Sequence, residues 1–257
     1  MRSDLIVSLP AAQSGLLVFT RVAGIFTFLP LPGLKTAPDV PRIFLSLCIT
    51  GVLFPLWPPV AAGQTGAGFL VSAMFGEVAF GLTIGVALAF LLEGLQMAAQ
   101  VAGLQAGFSY ASTIDPNTEA DSSVLYVFMQ LLSATLFFVL GLDRRVIGIV
   151  GESLRTAPPG AWHLAGAAGE TIARMGAVMF TLGLRLAMPV VGFLLLVDIG
   201  CGIAGRMSAQ LQLLSIAFPA KLLAGFMLLA LVLATVPQLL RDGAGPMLSV
   251  LARLAAR

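Results

Sequence analysis

Four ionisable residues, Arg174, Arg185, Asp198 and Lys221, lie in the most apolar third of the chain. A charge at the centre of a lipid bilayer costs roughly 2.5–3.5 kcal/mol on insertion scales, so it persists where it faces a partner group, a water-filled path or another subunit. Arg174 and Arg185 are 11 residues apart, which on a helix of about 100° per residue returns them to nearly one face, about 20° off. Two cations on one stripe call for a shared anionic or carbonyl-rich partner. Asp198 follows Arg185 by 13 residues, about 220° round a straight helix, so these two do not pair within it. Lys221 stands just past Pro219, where carbonyls freed from the helical ladder can accept its ammonium. Such groups either snorkel or pair between helices, or they serve subunit contacts or a translocation path.

Chemistry of the enzymatic kind finds little to work with. Glu77 and Glu93 are 16 residues apart, about 160° round a helix, and make no acid–base carboxylate pair. Glu93 instead opens a polar stripe with Gln96, Gln100 and Gln105, suited to amide hydrogen bonds between packed helices and less so to a wetted lumen. His163, after Pro158-Pro159-Gly160, has no carboxylate or Cys neighbour, and Cys48 and Cys201 lie in apolar surroundings without a second ligand at metal spacing. Both cysteines read as buried small side chains. No Gly-rich phosphate loop, metal-ligand cluster or Ser/His/Asp set accompanies them, so the reading is of a protein that is not an enzyme and takes no cofactor. The basic residues are scattered, apart from Arg144-Arg145, and a formal charge of +2 excludes a nucleic-acid surface.

The elements that must carry these residues are apolar helices. With 58% hydrophobic and 10% charged residues, against about 25% charged in soluble domains, the chain cannot cover a globule with polar surface. It is an all-α, polytopic integral membrane protein for the lipid bilayer, with no alternating barrel strands. Cutting at Gly, Pro and charges gives about six apolar stretches, near 12–30, 43–57, 69–106, 124–142, 170–201 and 211–236. The third exceeds a ~30 Å bilayer core if straight, so it must tilt, project or bend. Pro189 and Pro219 interrupt the last two and predict kinks there. The interval 143–169 is the longest polar one. Six crossings would put both termini on one side. There Arg2, Arg144, Arg145, Arg155, Arg241, Arg253 and Arg257 outnumber Lys35, Arg42 and Arg206 opposite, which makes the side of the termini cytoplasmic.

The most distinctive local sequence runs from Gly107 through Phe108, Ser109, Tyr110, Thr113, Asp115, Pro116, Asn117, Glu119 and Asp121 to Ser123: small residues, a turn at Asp115-Pro116-Asn117, and acidic charge only. Gly103-Leu104-Gln105-Ala106-Gly107-Phe108-Ser109 with Ile114-Asp115-Pro116, then Leu184-Arg185-Leu186-Ala187-Met188-Pro189, Gly205-Arg206-Met207-Ser208-Ala209-Gln210-Leu211 and Phe218-Pro219-Ala220-Lys221, taken in this order, resemble the FliR family of type III secretion export gates. Two departures are local: Ala209 stands where the family commonly has proline, and Gly141-Leu142-Asp143-Arg144-Arg145 where Asn-Gly-His is frequent.

The resemblance covers nearly the whole chain. It implies a single export-gate domain over residues 1–257, similar to a fused FliP-like plus FliQ-like helical unit, in which residues 106–123 form the plug that narrows the closed pore. It implies FliP-like and FliQ-like partner subunits, docking of an FlhB-like switch protein, and unfolded polypeptide substrates in transit through the bacterial inner membrane at the base of the flagellum. Arg174, Arg185, Asp198, Arg206, Lys221 and Glu93 then become candidate subunit contacts, because partners that pair with a charge lower its cost. An injectisome counterpart exporting virulence effectors is the alternative within the family. A secondary transporter using Arg185, Asp198 and Lys221 as a relay is the alternative outside it, set back by the lack of a clear internal repeat.

Overall fold

Each apolar stretch read from the sequence lies on a helix, and two further helices are present, one in the interval that read as polar and one beyond the last stretch. The computed structural model describes residues 9–29, 40–58, 66–107, 124–160, 167–207 and 213–255. The helices are α1 (Leu9–Phe28), α2 (Val40–Val52), α3 (Ala67–Ala106), α4 (Val124–Val139), α5 (Leu142–Thr156), α6 (Ala167–Met207), α7 (Leu213–Leu233) and α8 (Val236–Ala255), with a 3-10 turn at Phe54–Leu56. Helices α6 and α7 continue through Pro189 and Pro219.

Among the described residues, three to five spans meet the length and apolarity of a membrane crossing, against six apolar stretches in the sequence. Pro10–Phe28, Ala67–Ala106 and Gly169–Arg206 are long and apolar enough to span a bilayer; α4 with α5 and α7 with α8 are bent pairs, at 60° and 49°, that would bring the number to five. Helix α2, with 13 residues, reaches only about 20 Å against a ~30 Å core. The assignment of both termini to one side depended on six crossings and does not carry over.

Helix α5 lies inside the interval that read as polar. Its apolar residues recur every fourth position, and Leu142, Val146, Val150 and Leu154 are buried while Arg144, Arg145, Glu152 and Arg155 are exposed. Asp143 in the first turn and Arg155 in the last complement the helix dipole. The reversal from α4 into α5 is made by Gly141, at φ 66°, a left-handed value that a side chain would strain.

The chain forms two units: Met1–Phe90, Phe137–Gly176 and Ala244–Arg257 make the first, Leu91–Leu136 and Ala177–Gly243 the second. In the first, α1 and α3 touch backbone to backbone. A Cβ on Gly24 would lie 2.8 Å from the Val78 carbonyl oxygen, one on Gly85 2.6 Å from that of Ile25, and one on Gly81 would collide with that of Arg21. Gly81-x-x-x-Gly85 is the small-residue spacing by which membrane helices approach closely, where van der Waals contact replaces the hydrophobic effect. Helix α2 packs on α1 and is inside out: Ser46 and Thr50 are buried, whereas Ile43, Phe44, Leu47 and Val52 are exposed. The buried hydroxyls are satisfied by donating to the carbonyls of Arg42 and Ser46, each at 2.7 Å. Cys48 shares the outward face and is exposed, and Cys201 is half-buried, which corrects the reading of both as buried; an apolar residue on a membrane helix is as well placed against lipid as in a core.

In the second unit, Gly94 and Gly183 play the same part. A Cβ on either would come within 2.9 Å of a backbone oxygen of the other's helix, Met179 O and Gly94 O respectively. Ala102, Ala106, Val190 and Leu194 form a small core, covered by Ala224, Leu228 and Val232. Gly192, by contrast, has open space where a Cβ would stand. Gly81→Leu should therefore destabilise the detergent-solubilised chain by about 1–3 kcal/mol or more, and Gly192→Ala by less than about 1 kcal/mol of either sign. Thermal unfolding of the two variants checks the contrast.

Candidate functional site

The strongest polar arrangement in the described residues involves two that the sequence left aside. Arg21 on α1 and Glu77 on α3 are both 0% exposed and form a two-pronged pair: Nε donates to Oε2, and Nη2 to Oε1 at 3.1 Å. Nη1 donates to Ser153 Oγ at 2.9 Å and Nη2 to the Ala157 carbonyl at 3.0 Å. The Ser153 hydroxyl in turn donates to the Val150 carbonyl at 2.6 Å. The Gly160 amide donates to Glu77 Oε1 at 2.9 Å, and the Arg21 guanidinium lies 4.7 Å from the centroid of the Phe80 ring. Planar donors in a fixed fork match a carboxylate in this way, and a lysine could not. One cluster thus ties α1, α3, α5 and the turn after α5 within the first unit. Gly160 is at φ 90°, and a Cβ there would come 2.7 Å from Phe69 Cζ; glycine allows the amide to reach the carboxylate.

A second cluster lies in the other unit. Lys221 Nζ on α7 sits 2.8 Å from each Asp198 oxygen on α6, and Gln105 Nε2 near the end of α3 donates to Oδ2 at 3.1 Å. The side chains are 22% exposed for Lys221 and 42% for Asp198, so the pair is open on one side. Lys221 thus meets a carboxylate, where the sequence pointed to carbonyls freed by Pro219. Gln105, from the amide stripe, supplies the third group, and Gln96 of that stripe is buried.

Among the described residues, Arg174, Arg185 and Arg206 join neither cluster. Arg174 pairs with Glu170 one turn earlier on α6 at 2.7 Å, with both side chains about two-thirds exposed, so its partner is local and not shared with Arg185 as the common stripe suggested; such a pair contributes little. Arg185 and Arg206 are exposed on α6, and Glu93 is half-buried. The residues expected to form a plug, Phe108, Ser109, Tyr110, Thr113, Asp115, Pro116, Asn117, Glu119 and Asp121, and also His163, fall outside the described residues. Helix α3 ends just before them at Gly107, φ 88°. Among the described residues no three His, Cys, Asp or Glu are grouped as metal ligands.

Arg21 and Glu77 carry a signal that spacing within one helix does not reveal. Arg21 is the single charge of its apolar stretch and Glu77 one of two in its own, opposite in sign, with glycine three or four residues later. Removing either partner leaves the other buried and unpaired, so Arg21→Met or Glu77→Leu alone should cost about 3–5 kcal/mol. The double replacement Arg21→Met with Glu77→Leu should cost less than the sum of the single changes, because no orphan charge remains. A double-mutant cycle on the unfolding midpoint reads this coupling.

The family model for "Bacterial export proteins, family 1" matches residues 12–245. The flagellar biosynthetic protein FliR of Caulobacter vibrioides is 28% identical over 88% of this chain and 90% of its own length. That of Bacillus subtilis is 27% identical over 88% of each chain, and that of Pectobacterium carotovorum 26% identical over 85% and 84%. The matched segment begins in α1 and ends in α8, taking in both ion-paired clusters, and the chain belongs to the bacterial export proteins, family 1, the family of the FliR proteins.

Proposed function

We propose that this chain is a non-enzymatic core subunit of a flagellar type III protein export gate in the bacterial inner membrane. With FliP-like and FliQ-like subunits it forms the channel through which unfolded flagellar substrates leave the cytoplasm, and it docks an FlhB-like protein. The observation that carries this reading is the state of α6. Its stretch Gly169–Arg206 runs for 38 residues and contains an 18-residue portion of mean hydropathy 2.2, yet only 22% of that portion is buried within the chain, against 61% for the corresponding portions of α1 and α3. Straight, it is about 57 Å long, well beyond a ~30 Å hydrocarbon core. Lipid alone cannot cover such a helix, and Phe180, Leu184, Met188, Leu196, Ile199 and Ile203 along it are more than half-exposed or close to it. Neighbouring subunits are the cover that suits both these residues and the exposed guanidinium of Arg185.

Residues 106–123 serve as the plug, whose small and acidic residues offer few apolar anchors and release readily when a polypeptide enters. Arg185, Arg206 and the open side of the Asp198–Lys221 pair serve as subunit contacts. The relay alternative is weakened because both Asp198 oxygens are already engaged by Lys221 and Gln105. The relatives reported above are named for flagellar biosynthesis, which favours a flagellum over an injectisome.

Gentle-detergent capture of a tagged copy expressed from its own locus, followed by mass spectrometry, should recover small hydrophobic FliP-like and FliQ-like proteins; recovery of the chain alone would overturn the proposal. In the same assay Arg185→Ala should lower the yield of complex while leaving the chain's own fold intact. Shortening the plug within 108–123 should make cells leak small solutes with assembly unchanged, and an unchanged permeability would remove the plug from the account.

A further inference from the structure

A second feature of the first unit calls for a ligand of its own. Where α4 turns into α5, a cavity of about 230 Å³ opens between the two helices and the ends of α1 and α2. Phe26 of α1 and Leu29 just past it, Ile49 of α2, and Phe137 and Val146 beside the bend give it an apolar wall. An apolar cavity of this size stays dry and takes apolar guests; about 150 Å³ suffices for a benzene ring. One group in the wall is out of character. Asp143 lines the cavity, and its Oδ1 is buried without a hydrogen-bond partner among the described residues.

Asp143 lies in the first turn of α5. A carboxylate oxygen that is buried and unsatisfied is costly, and the demand is met best by a donor that carries positive charge. The mouth is flanked by Phe138 and Ile147, 45% and 39% exposed, so whatever enters comes from an apolar medium. Arg144 and Arg145 follow Asp143 directly and are exposed. The complement of these features is an amphipathic molecule with an alkyl chain, a cationic hydrogen-bond donor and an anionic group beside it. We propose that the cavity holds an acyl chain of a phospholipid with a primary ammonium headgroup, the ammonium donating to Asp143 Oδ1 and the phosphate facing the adjacent arginines. A quaternary ammonium has no N–H to donate, and a headgroup without a cation leaves the carboxylate unsatisfied, so the site selects the amine. This inference does not depend on the export role. The lipid would brace the 60° bend between α4 and α5.

The test extracts the full chain, in whatever assembly it leaves the membrane with, and compares its bound lipid with the bulk membrane by mass spectrometry. Phosphatidylethanolamine should be enriched in the wild type. Mixed micelles of that lipid should raise the unfolding midpoint, with phosphatidylcholine and phosphatidylglycerol much weaker. Asp143→Asn, which keeps the side chain's shape, should weaken the phosphatidylethanolamine effect roughly tenfold or more in lipid concentration, with the lipid-free midpoint little changed. Ile147→Trp, which closes the mouth from its exposed side, should abolish the enrichment. Equal effects of the three lipids, or an Asp143→Asn chain that retains the enrichment, would overturn the proposal. So would a photoreactive group at Phe138 that captures a protein chain and no lipid.

Discussion

A guanidinium and a carboxylate with no access to solvent, Arg21 and Glu77, set the conditions that the first unit has to meet. In surroundings of low dielectric an ion pair is tolerable only when its remaining donors and acceptors are also satisfied. That requirement reaches well beyond the two residues. It demands that α1 and α3 come close, which Gly24, Gly81 and Gly85 permit. It demands a hydroxyl and a carbonyl from α5 and its end, which Ser153 and Ala157 provide. It also demands a backbone amide from the turn beyond, which Gly160 presents in a conformation other residues avoid. The small residues, the polar stretch after α4 and the Pro-Pro-Gly turn then follow from one electrostatic constraint.

The second unit follows a looser rule. Its ion pair, Asp198 with Lys221, is satisfied inside the chain but open to the outside, and its apolar side chains point outward along much of α6 and α7. A chain that closes one polar cluster completely and leaves another at its surface, among exposed Leu, Phe and Met side chains, has the character of a component. The family to which the chain belongs, and the flagellar proteins that it resembles over most of their length, give that character its context.

Much of this was legible in the residues. Continuous apolar runs located α1, α3, α4, α6 and α7, because a helix surrounded by lipid or by other helices needs no polar face. The same strength missed α5 and α8. Runs of hydropathy register mean apolarity, whereas Val146, Val150 and Leu154 mark α5 only through their spacing of four. Lone charges were informative by type and not by position: Asp198 and Lys221 were singled out, yet their pairing joins two helices that a wheel drawn on one cannot connect. Arg21 drew no reading and Glu77 was weighed only against Glu93, since the contact spans 56 residues and nothing in either stretch alone announces the other. Cys48 failed for a related reason, because in a membrane chain apolar surroundings in sequence do not mean burial.

The claim at the centre is that protein, and not lipid alone, covers the exposed apolar length of α6. Photoreactive side chains placed in living cells at Phe180, Leu184, Met188, Leu196 and Ile199 test it directly. The account predicts adducts with small membrane proteins at positions along the whole helix, lost together when the assembly is prevented from forming. Adducts with lipid at every position, and a chain that runs at its own mass throughout, would contradict it.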